Sequence, residues 1–310
     1  LSKILCIVIF RSFNRIQFSN YFWLIRPLNC TTAAFAVVLA VYLALGENLV
    51  NFNLIVFIPI ATAAFFVTAH SMVHNDLVDY DLDKINAPHR PLASGKISLI
   101  NGKIFFLILG LAAITSGVLI DISLDIFPFS CFWAILNMSI LDIYNYRLKK
   151  SGLFGNFVIG YVVSALFIYA DIIVNGGLTM LSINIGGYTF FVIWGREIFK
   201  DIYDIEGDKE FNIKSIPVLY GRKAGAVVGS VLIVIGILVS IPIIFDENSS
   251  NLLKLIFGVL HSITIYICIK IIKNINDDDL IKSFKRLLLR ILLLGILSYL
   301  LVNNLFETLS

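Results

Sequence analysis

Nine apolar stretches, each near the length that crosses a bilayer, leave this 310-residue chain few folds to adopt. They lie at about 21–45, 53–74, 99–120, 123–141, 154–174, 178–197, 223–245, 252–272 and 287–306, and about 20 residues suffice for one helical crossing. No water is available there to bond the backbone, so each crossing must satisfy its own amides and carbonyls as a helix. Hydrophobic residues make up 58% of the chain and charged residues 15%, against about 45–50% and about 25% in soluble domains. That balance excludes a soluble enzyme or a nucleic-acid-binding module. The expected fold is an all-α integral membrane protein, one domain over residues 1–310. Nine transmembrane helices surround a central cavity, with cytoplasmic cap loops. Residues 4–10 form an apolar run too short to span, and Arg11 and Arg15 follow it, so residues 1–20 are expected to include an interfacial helix.

Charge placement orients these spans. With a cytoplasmic N-terminus, 23 of the 24 Lys and Arg residues fall on the inner side, and only Lys254 falls outside. Cytoplasmic loops carry such an excess, so the bias fixes a multi-pass cell-membrane topology. An odd span count then puts the C-terminus outside. Gly46–Phe52, Asp121–Ile122 and Asp246–Asn251 read as short outer loops. The four cysteines, Cys6, Cys30, Cys131 and Cys268, show no paired spacing and read as small apolar fillers.

Against this background two acid-rich stretches stand out: Asn75-Asp76-Leu77-Val78-Asp79-Tyr80-Asp81-Leu82-Asp83 and Asp201-Ile202-Tyr203-Asp204-Ile205-Glu206-Gly207-Asp208. Both follow an apolar segment and both fall on the predicted inner side. Carboxylates at such places are costly and therefore point to function. If each span continued as helix, Asn75, Asp79 and Asp83 would share one face, with Asp76 one position round. Asp201, Asp204 and Asp208 would share another, with Glu197 one turn earlier. Carboxylates gathered this way repel unless cations lie among them. Magnesium suits such donors, since it takes hard oxygens and leaves positions for water and phosphate. Arg26, Lys84, Arg90, Arg196 and Lys200 lie near the acids or at the same depth, and such side chains bind phosphate. The turn-rich segment from Asn86 to Gly95 is expected to form an ordered cap.

Two other readings compete. The acids are solvated loop residues, or they guide cations through a channel or transporter. A channel's carboxylate ring is expected at mid-span, whereas these acids sit at span ends. His70 and His74, four residues apart, read either as a chelating pair or as packing groups beside Asn75. Tyr144, Tyr146, Lys149 and Lys150 read as interfacial anchors or as substrate contacts. Asp277–Asp279 reads as a solvated loop.

The paired acidic motifs, after spans two and six, resemble those of the UbiA-type intramembrane prenyltransferases. Asn75, Asp76, Asp79 and Asp83 match the family's NDxxDxxxD motif, and Asp201, Asp204 and Asp208 its second motif. Arg26 in Ile25-Arg26-Pro27 resembles the family's first-span Arg, and Tyr146 with Lys149 and Lys150 its Tyr/Lys motif. The resemblance implies an enzyme that transfers a prenyl group from a polyprenyl diphosphate, with two Mg2+ ions bridging the diphosphate. It implies metal ligands among Asn75, Asp79, Asp83, Asp201, Asp204 and Asp208, with Asp76 as a further catalytic acid. Arg26, Asn75, Lys84, Arg90, Tyr146, Lys149 and Lys200 would bind the diphosphate or an anionic acceptor. The long forms of both motifs are most similar to family members that add a second geranylgeranyl chain to geranylgeranylglyceryl phosphate in archaeal ether-lipid synthesis. Chlorophyll synthase-like members, and those acting on quinone precursors and other aromatic acceptors, are next. A lipid-like acceptor, a prenylglyceryl phosphate, and the surrounding membrane lipid are the expected partners; the oligomeric state is not implied.

Overall fold

A computed structural model describes residues 18–46, 52–245 and 250–307. The expected interfacial segment lies, apart from residues 18–20, outside them. Among the described residues the secondary structure is helical throughout: α1 over 18–24, α2 Pro27–Leu45, α3 Phe57–Val78, α4 Tyr80–Asn86, α5 Leu99–Leu124, α6 Phe129–Tyr146, α7 Leu153–Asn175, α8 Met180–Tyr203, α9 Ile205–Glu210, α10 Ile216–Tyr220, α11 Arg222–Ile244, α12 Asn251–Lys273 and α13 Asp278–Glu307. Six segments among the described residues are long and apolar enough to cross a membrane: Pro27–Leu45, Leu54–Val78, Leu99–Leu124, Leu153–Asn175, Arg222–Ile244 and Asn251–Lys273. Helices α6, α8 and α13 are also at least 18 residues long. They carry Asp142 on α6, Arg196 and Glu197 on α8, and Lys282 and Lys285 on α13.

Two boundaries differ from the sequence expectation, each for a local reason. The span predicted over 21–45 is broken at Arg26, where φ is 51°. Pro27 starts α2, and a proline disfavours helical backbone at the residue before it. The predicted outer loop Asp121–Ile122 is instead part of the last turn of α5, and α6 begins only at Phe129. Pro128 lacks an amide to continue a helix. The Asp121 carboxylate accepts from the Ser130 amide at 2.6 Å and the Cys131 amide at 3.0 Å, closing the open start of α6. Asp171, near the end of α7, does the same for α8 by accepting from the Thr179 amide and the Ser182 hydroxyl, with Asn175 Nδ2 at 2.6 Å. Both carboxylates are fully buried.

The chain divides into two compact units, Leu1–Tyr42 with Glu47–Tyr146 and Leu43–Gly46 with Arg147–Ser310. In the first, α3, α5 and α6 pack on one another. Its core joins Ala69 and Val73 of α3 to Leu24, Cys30, Leu92 and Leu109. In the second, α8 is the central helix, packed against α7, α11 and α13. Gly195 of α8 and Gly229 of α11 let the two backbones meet: a methyl group on Gly195 would lie 2.6 Å from the Gly229 carbonyl oxygen. Close approach through small residues is how helices associate where lipid offers no hydrophobic gain.

Candidate active site

Each acidic stretch is a helix, a break and a short helix, not the continuous helix expected from spacing. In the first unit α3 ends at Asp79, with φ −85° and ψ 9°, and α4 carries Asp83. The break turns Asp83 back toward α3, so Asp76 and Asp83 share one partner, Arg90. Its Nη1 lies 2.6 Å from Asp83 Oδ2 and 3.4 Å from Asp76 Oδ1. Arg26 Nη2 approaches the same Asp76 oxygen at 2.5 Å. Asp76 is 3% exposed and Asp83 5%, so both charges are neutralised inside the protein. Asn75 Nδ2 donates to Asp79 Oδ2 at 3.1 Å across one helical turn. Lys84 pairs with exposed Asp81 at 3.0 Å and lies over the Tyr80 ring. The Asp81 carboxylate, accepting from Lys84, holds that ammonium's pKa above its ordinary value.

Arg90 stands on the turn-rich segment read as a cap. Its amide donates to the Ala87 carbonyl, the Ser94 amide donates to Arg90 and the Ile97 amide to Pro91, so the loop carries its own backbone bonds. Leu92, 1% exposed, anchors it in the unit's core.

His70 and His74 are drawn together by a residue that the sequence motifs do not include. Asp142 of α6 places Oδ2 3.2 Å from His70 Nε2 and Oδ1 2.6 Å from His74 Nδ1. His70 stacks on Phe106, with ring centroids 4.0 Å apart, and its Nδ1 lies 3.2 Å from the Phe106 carbonyl. Asn145 donates to the Ser71 carbonyl at 3.0 Å, fixing α6 to α3 at the same level. These contacts support packing beside Asn75. Tyr146, at the end of α6, is exposed.

In the second unit α8 ends at Asp204, with φ −93° and ψ 12°, and α9 carries Asp208. The intervals match those of the first unit: Asp201, Asp204 and Asp208 repeat Asp76, Asp79 and Asp83. The charge balance differs. Asp201 Oδ2 accepts from Asn156 Nδ2 at 2.6 Å, a neutral amide from α7. Asp208 is buried, and its Oδ2 accepts no hydrogen bond; Ser215, in the position that Arg90 holds after the first stretch, is a neutral hydroxyl buried in the same unit. Burial raises the Asp208 carboxyl above the usual carboxylate range, and the Asp204 charge adds to this, while the nearby Ser215 and Lys200 oppose it. Glu197, one turn before Asp201, is held by Arg196 and, at 3.5 Å, by Lys200.

The segment after Asp208 folds back on itself, the Ile213 amide donating to the Asp208 carbonyl at 2.8 Å. It then meets the 3-10 turn Leu148–Ser151 that carries Lys149 and Lys150: the Lys214 amide donates to the Lys150 carbonyl at 3.3 Å. Gly152 has φ +60°, and a methyl group there would collide with the Lys214 carbonyl oxygen. A left-handed backbone and this close approach both demand glycine.

The donors suit magnesium. Among the described residues no three His, Cys, Asp or Glu side chains gather closely enough to cage a metal. Magnesium needs no such cage, because it binds through one or two carboxylates and fills its other positions with water and phosphate oxygens. A buried carboxylate oxygen without a partner, as at Asp208, is a strong reason for a cation to bind. Asn156 and Asp142 lie outside every motif, although each is a polar residue within an apolar segment, and that is the signal by which sequence could have found them.

A helical membrane fold with two acid-bearing helix breaks defines an intramembrane prenyltransferase. Residues 32–294 match the UbiA prenyltransferase family, and the chain belongs to that family as a multi-pass membrane enzyme. A digeranylgeranylglyceryl phosphate synthase of Methanobrevibacter smithii is 37% identical over 216 residues, 69% of this chain and 74% of that protein. A solved structure of a digeranylgeranylglyceryl phosphate synthase in membranes aligns with a TM-score of 0.77 at 27% identity, covering 92% of this chain and 98% of that one. A UbiA homolog from Archaeoglobus fulgidus bound to GPP and Mg2+ shares the fold, with a TM-score of 0.64 at 17% identity over 90% of this chain and 99% of that one.

Proposed function

We propose that this enzyme transfers a geranylgeranyl group from geranylgeranyl diphosphate to the hydroxyl of geranylgeranylglyceryl phosphate, giving digeranylgeranylglyceryl phosphate for archaeal ether lipid. The observation that carries the catalytic part is the doubled acidic motif, whose second copy leaves the buried Asp208 Oδ2 without a partner. The relatives carry the choice of substrates. Both acidic stretches serve one reaction in a single domain, and the family match runs through both units. Nine helices cross the cell membrane, with the N-terminus and the acidic stretches on the cytoplasmic side and the C-terminus outside.

Asn75, Asp79 and Asp83 in one unit, and Asp201, Asp204 and Asp208 in the other, are the residues that would hold magnesium. Magnesium supplies charge stabilisation for the departing diphosphate. Arg90 and Arg26 pair with Asp76 and Asp83 and fix them in place. Lys84, Lys149 and Lys200, with Tyr146, face the anionic groups of the substrates. In the transfer the allylic C–O bond breaks and its electron pair leaves with diphosphate. The acceptor oxygen bonds to the allylic carbon, and its proton is released to the diphosphate or to water.

The test is an acceptor panel with geranylgeranyl diphosphate and magnesium, offering geranylgeranylglyceryl phosphate, chlorophyllide, 4-hydroxybenzoate and homogentisate, with products read by mass spectrometry. Diphosphate release with the glyceryl phosphate alone supports the proposal. Prenylation of another acceptor instead, or magnesium flux into liposomes without prenyl transfer, refutes it.

A further inference from the structure

A second group of charges in the same unit lies on the seam of α8 and α13, beside the second acidic motif. Lys282 and Lys285, one turn apart on α13, both fold onto α8, their ammonium groups 5.3 and 5.9 Å from the centroid of the Tyr203 ring. Arg196 of α8 reaches the other way and donates from Nε to the Lys285 carbonyl at 3.2 Å, tying the helices together at this level. Arg196 and Lys200 also share Glu197. Lys285 is half-buried, with Asp204, Glu197, Arg196 and Lys200 around it. Four cations, Arg196, Lys200, Lys282 and Lys285, thus gather on the α8–α13 seam, where Glu197 is already held by Arg196 and Lys200.

Inner-side bias alone accounts for lysines here, but not for two ammonium groups gathered over one ring. These two lysines share one aromatic face of α8, whose Arg196 is bonded to the Lys285 carbonyl. A phosphomonoester carries about −1.5 to −2 charges near neutral pH and three strong acceptor oxygens, which matches two neighbouring ammonium donors. We infer that the α8–α13 seam is the binding site for the phosphomonoester headgroup of the acceptor, with Lys282 and Lys285 as its specificity-determining residues and Arg196 as the residue that positions them. This rests on the reading of the acceptor as a prenylglyceryl phosphate, and it separates the acceptor's phosphate from the donor's diphosphate, which the acidic motifs serve.

The experiment compares the wild type, Lys282→Gln/Lys285→Gln and Lys282→Arg/Lys285→Arg in nanodiscs of neutral phosphatidylcholine. Binding of geranylgeranylglyceryl phosphate and of the neutral geranylgeranylglycerol is titrated without donor, and KM is then measured for each substrate. Losing two charge-assisted contacts should weaken the phosphorylated acceptor about tenfold or more in the Gln variant. The neutral ether and the donor should change less than about twofold by the same reasoning, and the Arg variant should bind the phosphorylated acceptor like the wild type. An unchanged affinity for the phosphorylated acceptor overturns the inference. So does an equal loss for both acceptors, a loss confined to the donor, or an effect seen only in nanodiscs containing anionic lipid. Inorganic phosphate serves as competitor; if it displaces the neutral ether as readily as the phosphorylated acceptor, the inference also fails. A wild type that binds the phosphorylated acceptor but transfers no prenyl group to it refutes the proposed function alone.

Discussion

Arg90 joins two buried carboxylates from two helices, and replacing it with Gln tests whether that sharing holds the break at Asp79 in shape. The variant loses the 2.6 Å contact to Asp83 and the 3.4 Å contact to Asp76. Asp76 keeps Arg26 at 2.5 Å, whereas Asp83 loses the cation that neutralises it. Removing one partner of a buried ion pair costs about 3–5 kcal/mol. Arg90's side chain is 31% exposed, so solvent screens part of this and the expected loss is about 2–3 kcal/mol. Asp83→Asn removes the stranded charge, so it should recover about 1–2 kcal/mol in the Arg90→Gln background while costing stability in the wild type. The assay is reversible unfolding of the purified protein in mixed detergent micelles for the wild type, both single variants and the double variant. A coupling energy below about 0.5 kcal/mol would refute the argument, because contacting residues that share a charge network couple more strongly.

Three further outcomes follow from the same geometry. Asp208→Asn should leave stability without magnesium unchanged or raise it, since Oδ2 is buried and unpartnered; magnesium should raise the melting temperature of the wild type and not of the variant, and a variant less stable than the wild type without magnesium would count against this. Asp121→Ala and Asp171→Ala should each cost about 2–3 kcal/mol in the unfolding assay, because each strands two buried backbone or side-chain donors at a helix start, and a cost under about 0.5 kcal/mol would show the caps to be idle. Gly152→Ala should cost about 2 kcal/mol or more and lower prenyl transfer, whereas Gly177→Ala, with open space around it, should be close to neutral; equal stability of the two would refute the argument for Gly152.

Much of this protein was legible in one dimension. Apolar length and charge bias predict a helical membrane protein, and six segments meet the requirement on length and composition alone. The spacing of Asp76, Asp79 and Asp83, repeated by Asp201, Asp204 and Asp208, marked the motifs, since carboxylates beside a bilayer need a reason. Spacing misled where it assumed unbroken helices. At Asp79 and Asp204 the backbone leaves helical geometry, and a short helix then carries its acid in a new direction.

The sequence by itself determined composition, helical class, the family motifs and the kind of ion they attract, because these depend on residue type and spacing along one chain. Only the tertiary structure decided which acids are neutralised and which are not. Arg26 reaches Asp76 across 50 positions, Asn156 reaches Asp201 across 45, and Arg196 reaches the Lys285 carbonyl across 89. The two motifs share their spacing, yet one closes on arginines and the other on an amide and an unpaired oxygen. That difference is Coulombic and set by distances of a few ångströms, which helix packing fixes and spacing along the chain does not.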